Sequence, residues 1–148
     1  MNKLIFFLLL FFQVIIKPEY IQAQCTEFVT TKGFNVLDTV KYIPEGRFDA
    51  LILSQGDYLK VYKSFFRGKT YKIAVVADNN LPTINFQVKT MEGEIIYDNS
   101  NTPNSETWEY TSNKNQNLII KVELPPAEGV KPKSGCVAVL LGYKLPDK

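Results

Sequence analysis

The chain contains no histidine among its 148 residues. A Ser-His-Asp triad and a Cys-His pair are therefore excluded, as are the histidine-based sites that dominate catalytic zinc. Its only cysteines are Cys25 and Cys136, so it has neither a CxxC pair nor a cysteine cluster of metal-binding spacing. No Walker-type phosphate loop and no GxGxxG turn occurs. An excess of one charge is also missing: there are 17 basic and 15 acidic residues, and leaving out Lys3, Lys17 and Glu19 near the N-terminus gives 15 and 14. That balance lacks the electrostatic footprint expected for nucleic acid or an anionic membrane surface. There is no internal repeat and no long linker.

The chain opens with the three parts of a cleavable secretory signal. Lys3 supplies the positive region, Leu4 to Phe12 is an unbroken apolar run extended by Val14, Ile15 and Ile16, and Ala23 is a small residue before the expected cut. The apolar stretch is shorter than the roughly 20 residues a transmembrane helix needs, and Pro18 and Glu19 close it. An uncleaved anchor is the first alternative. A lipoprotein acylated at Cys25 is the second, although Gln22 and Gln24 stand where a lipoprotein signal carries a Leu-like and a small residue. The expected division is a signal peptide over 1–23 and one domain over 24–148. The mature protein is then exported, periplasmic, at the cell surface or secreted, with no transmembrane segment left after cleavage.

Two cysteines in an exported chain read first as a disulfide. A Cys25–Cys136 bond would tie the mature N-terminus to the last strand. The competing reading is two unpaired buried thiols.

From Arg47 onward the pattern is β. Ile84, Phe86 and Val88 alternate with Asn85, Gln87 and Lys89, giving one wet and one dry face. Leu118, Ile120, Val122 and Leu124 form a similar set. In the run from Tyr71 to Ala77, Ala74 and Val76 make the second face apolar too. Cys136 to Leu141 is apolar on both faces, which predicts a central strand. Turn chemistry separates the runs: Ser54-Gln-Gly-Asp57, Arg67-Gly-Lys69, Asp78 to Pro82, and Met91-Glu-Gly-Glu94 as a hairpin turn. About eight short strands result, predicting an all-β antiparallel β-sandwich of jelly-roll type. Residues 26–45 fit either a short strand or a helical turn and are assigned as an N-terminal strap.

The acids fall mostly in turns. Glu109 is the best strand candidate for the paired carboxylates of a glycoside hydrolase, but at period two it points away from Trp108 and Tyr110. No cofactor is expected. Calcium is an option through Asp78, Asn79 and Asn80, or through Asp98, Asn99 and Asn101, although no ordered calcium-loop pattern arranges them. Aromatic residues are abundant, and most belong to the core or to cross-strand pairs. Tyr62, Trp108 and Tyr110 are the candidate ligand-binding residues, Tyr62 because it alternates with Val61 beside Lys60 and Lys63.

The order Gly46-Arg-Phe-Asp-Ala-Leu-Ile-Leu, then Gly56-Asp57, then Phe66-Arg-Gly-Lys-Thr-Tyr-Lys-Ile resembles jelly rolls of the pre-peptidase C-terminal type. Trp108-Glu-Tyr, Asn117-Leu-Ile-Ile-Lys-Val and Gly135-Cys-Val-Ala-Val-Leu-Leu-Gly are similar to stretches of small exported proteins of Bacteroidetes-type bacteria. The resemblance spans roughly Gly46 to Lys144 and implies a non-catalytic accessory domain, here without an attached enzyme. The expected function is an exported, non-enzymatic structural or protein-binding module of the envelope or extracellular space. The alternatives are a carbohydrate-binding module using strand aromatics and a carboxylate-based hydrolase. The partner is then a protein or a glycan, and not a nucleic acid.

Overall fold

Nine strands fall into two antiparallel sheets in a computed structural model that describes residues 25–102 and 105–145. The signal-like segment 1–23 lies outside the described residues. The strands are β1 (Tyr42–Pro44), β2 (Asp49–Ser54), β3 (Tyr58–Phe65), β4 (Thr70–Ala77), β5 (Asn85–Thr90), β6 (Ile95–Asp98), β7 (Thr107–Thr111), β8 (Gln116–Glu123) and β9 (Ser134–Lys144). The five-stranded sheet places β9 between β4 and the pair β1 and β2, with β7 at the far edge. The four-stranded sheet runs β3-β8-β5-β6. The all-β sandwich expected from the sequence is thus present, with one strand more than predicted, because β1 forms inside the strap.

The core lies between the sheets. Ile73, Val75 and Val139 from the five-stranded sheet meet Phe86, Ile120 and Val122 from the other, all with no exposed surface. Burial of one such side chain contributes about 1.5–3 kcal/mol. β8 shows the simplest form of the pattern: Leu118, Ile120 and Val122 are buried, and the residues between them reach the outer face.

β4 and β9 are buried on both faces because a third layer covers the five-stranded sheet. Residues 25–37 are helical, with a π-turn at Val29–Gly33 and an α-turn at Phe34–Leu37. Val29 and Leu37 pack on Ala74, Val76, Ala138 and Leu140 in a second apolar cluster. Gly33 permits the close approach, since a Cβ there would sit 3.0 Å from Leu140 Cδ1. The helix ends at Asp38, which takes φ 62° and donates its N–H to the carbonyls of Phe34 and Asn35. β1 then pairs with the end of β9.

The disulfide Cys25–Cys136 is present, with Cα atoms 5.5 Å apart and 111 residues of separation. Cys136 alternates with Val137 and Val139, so its side chain faces the strap rather than the core. The bond anchors the helical layer at its first residue. The predicted 91–94 turn is a β5–β6 hairpin, whose register shifts between Val88 and Lys89. Ser54 to Asp57 joins no hairpin. It carries the chain from β2 in one sheet to β3 in the other, closed by Asp57 N–H to Ser54 O at 2.9 Å and Ser54 N–H to Asp57 Oδ2 at 2.9 Å.

Candidate functional site

The two outer faces of the sandwich differ. The strap covers that of the five-stranded sheet. The outer face of the four-stranded sheet has no cover among the described residues. Three antiparallel registers fix its layout. The first row sets Tyr58 beside Glu123 and Asn85. The second sets Lys60, Lys121, Gln87 and Asp98 side by side. The third sets Tyr62, Ile119, Lys89 and Ile95 in line.

Period-two alternation sends these residues outward, because their neighbours Val61, Ile120 and Val88 are buried. Tyr62 is 61% exposed, Tyr58 58% and Ile95 50%. The Tyr58 ring lies under two ammonium groups, with Lys60 Nζ 5.4 Å and Lys121 Nζ 5.6 Å from its centroid. Lys121 also pairs with the Glu123 carboxylate. Asp98 is held internally: Gln87 Nε2 donates to Oδ2 at 2.5 Å and Ser100 N–H donates to Oδ1 at 2.8 Å. These contacts, led by the Ser100 backbone N–H, hold the Asp98 carboxyl below its ordinary pKa.

The sequence-predicted aromatic residues do not come together. Tyr62 lies on the exposed face just described. Trp108 and Tyr110 point inward from edge strand β7 and are half-buried against the core. Trp108 stacks on Tyr97 of β6 at 4.8 Å and on Tyr110 at 4.9 Å. Tyr110 meets Phe65 edge-on at 5.9 Å, and Gln116 Nε2 donates to its hydroxyl at 2.7 Å. This ring ladder closes the side of the sandwich where β6 and β7 face each other. Trp108 is thus stacked between ring partners on β6 and β7, and Tyr110 is stacked on Trp108 alone among the described residues. Sequence alternation had marked Tyr62, but Tyr58 and Ile95 were missed as its companions; the row that unites Tyr62 with Ile95 exists only once four strands are in register.

Glu109 stands on the opposite side of β7, exposed and beside the buried Tyr42 hydroxyl. Burial, aided by that carboxylate and by Asp38, pushes the Tyr42 pKa up to about 12. Two other carboxylates, Asp78 and Glu106, line a polar cleft of about 200 Å³ beside the strap. Both are engaged. Asp78 Oδ2 accepts from Cys136 N–H at 2.6 Å, and Glu106 lies 3.5 Å from Lys32 Nζ. Lys32 Nζ also donates to Ala77 O at 2.8 Å and Asn79 Oδ1 at 3.2 Å, pinning the strap helix.

The loops considered for calcium carry structural hydrogen bonds. Asn80 donates to Ser134 O at 3.3 Å, and buried Asn99 accepts from Phe86 N–H at 2.8 Å while donating to Ile84 O at 3.0 Å. No group of three or more acidic or cysteine side chains is placed to hold a metal ion among the described residues. No described helix is long and apolar enough to cross a membrane.

No protein-family model matches the chain, and no curated protein sequence matches it. Among solved structures it is similar to the crystal structure of Aeromonas hydrophila PliG, a periplasmic lysozyme inhibitor of g-type lysozyme. The match has a TM-score of 0.51 at 14% identity and covers 66% of this chain and 85% of that one. At that identity the likeness speaks for the sandwich fold.

Proposed function

We propose that this protein is an exported, non-enzymatic binding module that engages a partner protein through the uncovered face of its four-stranded sheet. The observation that carries the reading is the asymmetry of the two faces. One is covered by the chain's own strap, while the other leaves Tyr58, Tyr62 and Ile95 in solvent on its first and third rows, either side of the lysine row. Exposed aromatic residues gathered on one surface mark interaction sites, and tyrosine is enriched among the residues that carry binding energy.

Three further observations support the reading. The Cys25–Cys136 disulfide belongs to an oxidising compartment, as does the signal-like N-terminus. The absence of histidine and the oxidation of both thiols leave the chain without the usual nucleophile–base pairs. The fold neighbour is named as a protein that inhibits another protein, and the pre-peptidase C-terminal resemblance points to an accessory role. For the carbohydrate-binding alternative, Trp108 and Tyr110 give less support than the exposed rings of Tyr58 and Tyr62 give a protein partner, because Trp108 stacks on both Tyr97 and Tyr110.

Site-specific photo-crosslinking in the producing cell tests the proposal. A benzophenone side chain at position 62 should yield a discrete protein adduct, and the same group at exposed Thr30 on the strap should not. No adduct at 62, or the same adducts from both positions, would reject the face. The g-type lysozyme that PliG is named as inhibiting is the first defined partner to assay.

A further inference from the structure

We infer that the partner presents an acidic segment to this face, one carboxylate of which docks between Lys60 and Lys121 while neighbouring apolar side chains lie on Tyr58 and Tyr62. The inference rests on the docking face proposed above and adds the chemistry of what it receives.

The starting point is an arrangement unfavourable to the protein alone. Lys60 and Lys121 are direct cross-strand partners on the outer face of β3 and β8. Like charges directly opposite one another destabilise a sheet, whereas opposite charges there contribute roughly 0.2–1 kcal/mol. The protein relieves this only in part. Lys121 has the Glu123 carboxylate, but among the described residues Lys60 forms no ion pair and has only the Tyr58 ring. The acids of the face are already engaged, Glu123 with Lys121 and Asp98 with Gln87 and Ser100. Lys89 adds a third cation in the next row. The face therefore offers positive charge that its own acids do not fully answer.

A carboxylate set between the two ammonium groups would turn the repulsion into a charge-assisted pair of contacts. The surrounding residues choose between sources of that carboxylate. Tyr62, Ile119 and Ile95 line the row beside the lysines, and their apolar surface is matched by protein side chains rather than by a uronic-acid polymer. The lysines would also steer an acidic partner and set the register of docking.

The test is an amide NMR titration of the full mature chain with three probes. They are an acetylated Asp/Glu-rich peptide bearing one Leu and one Phe, the same peptide with Gln and Asn for its acids, and polygalacturonate. The acidic peptide should shift amides of residues 58–62 and 117–123 and weaken as salt is raised. Its affinity should fall about tenfold in Lys60→Gln and in Lys121→Gln, and rise in Glu123→Gln, with circular dichroism confirming that each variant is folded. Equal binding of the neutral peptide, tighter binding of polygalacturonate, no shift at millimolar acidic peptide, or an unchanged affinity in Lys60→Gln would each overturn the inference. The crosslink at position 62 decides the docking face separately. An adduct there without acidic selectivity would remove the charge inference alone.

Discussion

Removing the disulfide probes how the helical strap is held. In the variant Cys25→Ala/Cys136→Ala the loop of 111 residues is no longer closed in the unfolded chain. The chain-entropy relation gives a stability loss of about 5 kcal/mol at 25 °C for a loop of that length. The strap itself should stay docked. Its own Val29 and Leu37 are fully buried against the sheet, β1 pairs with β9, and Lys32 donates to Ala77 O. The loss should therefore come from a freer unfolded ensemble. Urea unfolding followed by the fluorescence of Trp108, the one tryptophan, should show a lower midpoint and a steeper slope, because a chain without the cross-link exposes more surface when unfolded. Hydrogen exchange of residues 29–37 under native conditions should be nearly unchanged. A loss below about 1 kcal/mol with an unchanged slope would refute the unfolded-state account. Rapid exchange throughout residues 29–37 would show that the bond holds the strap in the native state.

Tyr42 makes the protein sensitive to alkali. Its folded pKa of about 12 exceeds the ordinary 10.0, so its contribution is complete below pH 10 and is lost as pH rises towards 12. Tyr42→Phe should therefore flatten the alkaline limb of a urea-midpoint profile between pH 10 and 12. Asp98 works in the opposite direction. Its depressed pKa gives stability that is present above the ordinary carboxylate pKa and lost as pH falls through the depressed value, so Asp98→Asn should flatten the acid limb. Gly142→Ala should destabilise by about 1–3 kcal/mol in chemical denaturation, because its Cβ would meet Tyr42 Cβ at 3.0 Å and the Ile43 carbonyl at 3.2 Å. Tyr62→Ala should leave the unfolding midpoint within about 0.5 kcal/mol of the parent while abolishing partner binding; a large stability loss would show that its exposed ring is structural.

The parts of the fold legible in the sequence are those encoded by local pattern. Period two marked β5 and β8, and doubly apolar runs marked β4 and β9. Glycine-bearing turns separated most of the strands. The strap was only half legible. Phe34, Val36, Leu37 and Val40 fit neither a strand nor a long helix cleanly, because the segment turns from helix to strand within residues 37–42 at the left-handed Asp38. The candidate face was legible one residue at a time. Alternation showed that Tyr58, Lys60 and Tyr62 share a side of β3, but not whether that side meets water, core or another layer. It also could not show that Trp108 and Tyr110, with the same alternation, face inward onto Tyr97 and Phe65.

Local pattern and composition fixed β2 to β9, the chemistry excluded by the missing histidine, and the two residues able to form the disulfide. These follow from local periodicity and from composition, which need no knowledge of what lies across the chain. The tertiary structure alone decided which sheet each strand joins, which outer face the strap covers, and that Lys60 lies opposite Lys121. Those are outcomes of register and layer packing. They arise when β3 and β8, separated by some 50 residues of sequence, align so that both bury their apolar face in one core.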